Sequence, residues 1–167
     1  MMNPRIPSRL LGAVVFGLFL VLLSCSTAFA DSDQPRVGLE PEDVVRIQLD
    51  ALRTNGPANE GIARTFRFAS PANRAVTGPL ERFALLFRSP AYQPMLNHVT
   101  SVIYSPVMDG ELALIPVTLT QSDGSEVDYM FVLSRQTMEP YEDMWMTDAV
   151  QYQGEVMPAQ PDPERTI

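Results

Sequence analysis

His98 is the only imidazole in the 167 residues, and two further proton-transfer groups, Tyr104 and Asp128, follow it within one stretch of chain. A histidine takes or gives a proton near neutral pH, a carboxylate orients or accepts one, and a phenol polarises a carbonyl oxygen. Held within hydrogen-bond reach, these three could carry acid–base chemistry. Other chemistries fail on composition. One histidine and one cysteine, Cys25, leave only an all-carboxylate metal site, and no loop has the spacing of calcium ligands. There is no glycine-rich phosphate loop and no G-x-S-x-G elbow, so neither a metal nor a cofactor is expected.

A second set of residues speaks of binding. Phe83, Phe87, Tyr92, Tyr129, Phe131 and Trp145, with Met144 and Met146, would line an apolar pocket for a ligand or partner, or fill an ordinary core. Core is the simpler reading. The charge balance narrows the partners. Twelve arginines, no lysine and 20 carboxylates give a formal net charge of −8, which argues against nucleic acid. Residues 31–90 hold eight arginines and eight acids, whereas residues 91–167 hold two arginines and twelve acids. That second half reads as a solvated acidic face more readily than as a surface for a basic partner. The run Glu139-Pro140-Tyr141-Glu142-Asp143 reads as a solvated hairpin loop.

The elements that must position these residues fall into two halves. Pro41-Glu42-Asp43 puts a proline and two acids in a first helical turn, and Val45, Leu49 and Leu52 follow at helical spacing, flanked by Val44 and Ala51. Asn55-Gly56-Pro57 ends that helix. A second helix is predicted from Asn59 to Ser70-Pro71, with Ile62, Phe66 and Ala69 on one side. A third runs from Pro79 to just before Pro90, with Leu80, Phe83, Ala84 and Phe87 as its stripe. Beyond Val99 the pattern turns β-rich. Asp109-Gly110 and Asp123-Gly124 read as two-residue type I′ turns between strands near 98–108, 111–121 and 126–135, with a fourth near 144–152. Three helices followed by a four-stranded antiparallel meander is an α+β domain.

The ends read differently. Arg5 and Arg9 precede an apolar run of 14 residues from Leu10 to Leu23, shorter than the ~20 residues of a membrane span. Ala28-Phe29-Ala30 then offers small residues where a signal peptidase cuts, so residues 1–30 are predicted to be a signal peptide cleaved between Ala30 and Asp31. Leu22-Leu23-Ser24-Cys25 offers an alternative, a lipoprotein box in which Cys25 would be acylated and tether the chain to a membrane. An uncleaved signal, the third option, would anchor the chain in a membrane. The expected address is the periplasm, the exterior or a thylakoid lumen. Residues 31–40 read as a linker, 41–152 as the folded domain, and 153–167 as an acidic, proline-rich tail without structure.

Gln48-Leu49-x-Ala51-Leu52, Phe66-x-Phe68-Ala69-Ser70-Pro71, then Phe83, Tyr92 and a late Trp145 resemble the uncharacterised family called domain of unknown function 4864. The resemblance spans about residues 42–152, and the segment from Gly61 to Phe87 most resembles versions from photosynthetic lineages. It implies a cone-shaped fold similar to the nuclear transport factor 2 superfamily, a curved sheet wrapped around helices. No activity carries over with it. Some cone-fold enzymes place Tyr, Asp and His in a deep pocket, which is what His98, Tyr104 and Asp128 would have to reproduce. Around Arg88-Ser89-Pro90-Ala91-Tyr92 the chain departs from the family pattern by an extra residue and a proline, at the loop that would line the mouth.

Counting registers outward from the two turns sets His98 opposite Gln121, Asp128 opposite Leu119 and Tyr104 opposite Ile115, all on one sheet face. Strand spacing and rise then separate His98 from Asp128 by about 12 Å and from Tyr104 by about 20 Å, too far for a catalytic cluster. Pro116 falls within the middle strand and suggests a bulge there, which would shift His98 and Tyr104 against it. The same count makes both faces partly apolar. Val102, Ile115, Val117, Leu119, Met130 and Val132 lie on one, and Ile103, Leu112, Leu114, Phe131 and Leu133 on the other. Helices cover one face, so the second is expected to meet a homodimer mate, another protein or a ligand. The sequence therefore points to an exported, non-enzymatic module that binds a protein or a small apolar molecule, with a pocket enzyme of isomerase or dehydratase type as the alternative.

Overall fold

The computed structural model describes residues 34–156. The predicted signal peptide, the Ala30–Asp31 cleavage point, Cys25 and the greater part of the acidic tail lie outside the described residues. No helix among the described residues is long and apolar enough to cross a membrane.

Among the described residues, four helices precede an open, antiparallel, five-stranded sheet. Helix α1, Pro41–Arg53, starts with proline in its first turn, and the Glu40 N–H is held by the Asp43 carboxylate at 3.3 Å. Its stripe of Val44, Val45, Leu49 and Leu52 is fully buried. Helix α2, Glu60–Arg67, crosses α1 closely enough that Gly61 lies against the Ala51 backbone. Helix α3, Pro71–Thr77, is the element that the periodicity missed. Ser70 does not simply stop α2. Its Oγ accepts from the Asn73 N–H at 3.1 Å and Pro71 takes the first helical position, an N-cap pair that begins a new helix. No residue of α3 is buried, so there was no apolar stripe to read. Helix α4, Leu80–Leu86, buries Phe83, and a single 3-10 turn follows at Gln93–Met95.

The sheet runs β1 (Thr100–Ile103), β3 (Leu112–Thr120), β4 (Glu126–Arg135), β5 (Trp145–Val156), with β2 (Val107–Asp109) also on β3. The strand expected over 98–108 is thus two strands. Ile103 pairs with Val117 and Val107 with Leu114, so three residues of one strand face only Ile115 and Pro116 of the other. The bulge expected in Pro116's own strand falls on its partner instead, and β3 stays in unbroken register with β4. The cause is local. Pro116 accepts from the Tyr104 N–H at 3.0 Å but has no N–H to return, so the ladder opens on that side.

Both turns close hairpins, one residue away from the expected register. Asp109 is a strand residue paired with Leu112, and the first turn centres on Gly110 and Glu111. Of these two only Gly110 has positive φ, +59°, the pattern of a type II′ turn. In the second, the Gln121 N–H bonds the Ser125 carbonyl at 2.8 Å, leaving a three-residue loop in which Gly124 sits at φ +84°. A slip of one residue changes which side chains share a face. Ile115, Val117 and Leu119 are buried together with Tyr129, Phe131 and Leu133, and Ile103 packs against them. Val102, Met130 and Val132 join Leu112 and Leu114 on the outer face. β5 continues to Val156, past the expected end of the domain.

Candidate functional site

A cavity of about 410 Å³ lies among the four helices, the 3-10 turn and the start of β5. Phe83, Phe87, Tyr92 and Phe131, four of the six aromatic residues singled out in the sequence, line it. Tyr129 and Trp145 do not. The Tyr129 ring is buried with its hydroxyl donating to the Ala91 carbonyl at 2.9 Å, and Trp145 packs on the core. Burial raises the Tyr129 phenol far above its usual range, so it is fixed as a neutral donor.

The polar part of the wall comes from residues that no motif announced. Thr147 Oγ1 donates to Gln48 Oε1 at 2.7 Å, and Gln48 Nε2 donates to the Thr65 carbonyl at 3.2 Å. Thr65 Oγ1 donates to the Gly61 carbonyl at 2.9 Å. The Thr147 backbone is clamped on its free edge, its N–H to the Phe68 carbonyl and its carbonyl to the Ser70 N–H, both at 2.9 Å. Asn73 Nδ2 adds a second bond to that carbonyl at 3.0 Å, and the Tyr92 hydroxyl donates to the Val150 carbonyl at 2.9 Å. This network fastens the first turn of α3 and the α2–α3 junction onto β5. It spends the polar groups on one another, so the cavity presents a largely apolar wall.

The three acid–base candidates lie elsewhere, and the count that placed them on one face does not hold. Asp128 is opposite Thr118, not Leu119, and Tyr104 adjoins Pro116, not Ile115. Both sit on the outer face, where Thr118 Oγ1 donates to Asp128 Oδ1 at 2.6 Å and lies 3.5 Å from the Tyr104 hydroxyl. Tyr104 is 49% exposed there. His98 precedes β1 and is 2% exposed, its Nδ1 donating to the Met95 carbonyl at 2.9 Å. None of the three lines the cavity. No three His, Cys, Asp or Glu side chains cluster as metal ligands would among the described residues.

His98 Nε2 is buried without a hydrogen-bond partner, so a proton there would be an unpaired buried donor. Burial accordingly lowers its pKa below the usual 6.5. The Met95 carbonyl and the Asp50 carboxylate oppose that shift, and the Arg53 charge adds to it. The unfolded chain takes up this proton near pH 6.5 while the folded one does not. Stability from this group is therefore complete above about pH 6.5 and falls as pH drops toward the lowered folded value. His98→Gln is expected to flatten this part of the dependence. Urea midpoints of both proteins at pH 7.5 and 5.5 measure it, the wild type losing more than the variant.

Comparison of the chain with protein-family models, with curated proteins and with solved structures finds no match.

Proposed function

We propose that this chain is a non-enzymatic binding module that holds a small apolar molecule between its helices and the start of β5. The observation that carries the reading is the cavity. Its volume lies within the ~300–1,000 Å³ range of small-molecule sites, and the Gln48 and Thr147 side chains on its wall are already bonded to protein. A nuclear transport factor 2-like cone and kinship with domain of unknown function 4864 are the finer fold reading that goes with it. An exported setting, read from the basic, apolar and Ala28-Phe29-Ala30 segments, is part of the same proposal. The acid–base alternative has less support, because Tyr104 and Asp128 face outward and His98 is enclosed apart from them.

Titration with a dye that brightens in apolar surroundings tests this. Saturable binding is expected, weakened about tenfold or more by Ala72→Trp. Ala72 lines the cavity from an exposed position on α3, so an indole there obstructs the mouth at little cost to the fold. The absence of saturable binding, or an unchanged affinity in a folded Ala72→Trp protein, would overturn the proposal.

A further inference from the structure

The wall of the cavity carries one charged side chain among the described residues, and the sheet goes out of its way to deliver it. Thr147, Asp148, Ala149 and Val150 all line the cavity. A regular strand turns alternate residues to opposite faces, so four in succession cannot share one lining. The β4–β5 ladder shows how they do. Leu133 pairs with Thr147 and Val132 with Ala149, which leaves Asp148 as an extra residue with no partner across the ladder. Such a bulge re-aims a side chain. The residues on either side are pinned, Thr147 by the bonds to Phe68 and Ser70 and Val150 by the Tyr92 hydroxyl. The position of the bulge is therefore fixed from both ends.

Asp148 makes no hydrogen bond or ion pair with any described residue, while Gln48, Thr65, Asn73, Thr77 and Thr147 around the same wall are all bonded. No arginine lines the cavity. A carboxylate at the edge of an apolar cavity, half-buried and without a counter-charge, is complementary to a cation attached to an apolar body. We infer that the ligand of this cavity is a cationic amphiphile, whose ammonium or amidinium-type head pairs with Asp148 while its hydrocarbon part lies against Phe83, Phe87 and Phe131. This rests on the cavity being a binding site and adds the charge and orientation of what it binds.

Three probes of equal chain length, n-octylamine, n-octanol and n-octanoate, separate the two ideas when each displaces the dye from the wild-type protein at neutral pH. The ammonium is expected to bind about tenfold more tightly than the alcohol, and the carboxylate more weakly than either. Asp148→Asn should bring the ammonium down to the alcohol, and Asp148→Glu should keep the preference. Asp123→Asn, in the hairpin loop away from the cavity, should leave the ratio as in the wild type. Equal binding of ammonium and alcohol to the wild type overturns the cationic ligand and leaves the apolar site standing. A preference lost in Asp123→Asn, or retained in Asp148→Asn, overturns it too, by showing that the overall negative charge and not Asp148 sets the ratio. If none of the three displaces the dye, the binding reading itself falls.

Discussion

Replacing Gly61 with alanine should cost the domain about 3 kcal/mol, although alanine is the better helix former by about 1 kcal/mol. A Cβ at this position would sit inside the contact distance of the Ala51 carbonyl oxygen, 2.9 Å from the Ala51 carbonyl carbon and 3.1 Å from the Asn55 Cα. These are backbone atoms of α1 and the segment that follows it. They cannot rotate away as a side chain does, so α2 must lift from α1 and open the contact that Ile62 seals. The steric term therefore outweighs propensity. Gly56→Ala is the internal comparison, because its Cβ would meet only the carboxylate end of Glu60, which can swing aside. It should change stability by less than about 0.5 kcal/mol. Chemical denaturation of the three proteins gives the answer, and equal midpoints for Gly61→Ala and the wild type would refute the close-crossing argument.

Gln48→Leu should be nearly as damaging, by about 2–3 kcal/mol, for a different reason. The side chain spans two buried groups, accepting from Thr147 Oγ1 and donating to the Thr65 carbonyl. Leucine fills similar space but leaves both without that partner. The Thr65 carbonyl keeps the Phe68 N–H at 3.1 Å, so the Thr147 hydroxyl is the orphan. Adding Thr147→Val removes it, so the double variant should be more stable than Gln48→Leu alone. A double-mutant cycle on urea unfolding isolates the coupling. If the second substitution only adds to the loss, the Thr147–Gln48 bond is not the reason for the first.

These two sites illustrate what a sequence can and cannot show. Val45, Leu49 and Leu52 repeat at helical spacing, and residues 126–135 alternate at strand spacing, so α1 and β4 were readable from local pattern alone. Gly61 was not, because its reason is the passage of another helix. Nothing local to Gln48 reveals its role, because its partner Thr147 is 99 residues away. The two Asp-Gly pairs announced hairpins but not which residues occupy the turn centres, and a single residue of error moved Phe131 and Leu133 to the wrong face. For the site, aromatic content was enough to name Phe83, Phe87, Tyr92 and Phe131. Asp148 was out of reach, since an extra residue in a strand leaves no mark on the side-chain pattern of that strand.

The irregular pairing of β5 also bears on how the protein behaves when crowded. This strand is the longest of the five and forms one edge of the sheet, and an edge of that length is the usual template onto which a neighbouring chain anneals. The parallel bridge between Ala69 and Thr147 shields its beginning. A second register shift, between the Asp128–Gly154 and Tyr129–Tyr152 pairs, disturbs its far half, where Gly154 sits at φ +121°. The longest run left in simple register is Ala149 to Tyr152, four residues against the ~5–6 of an ordinary strand. The kinks that shape the cavity thereby also deny a fibril-forming neighbour a straight edge to grow on.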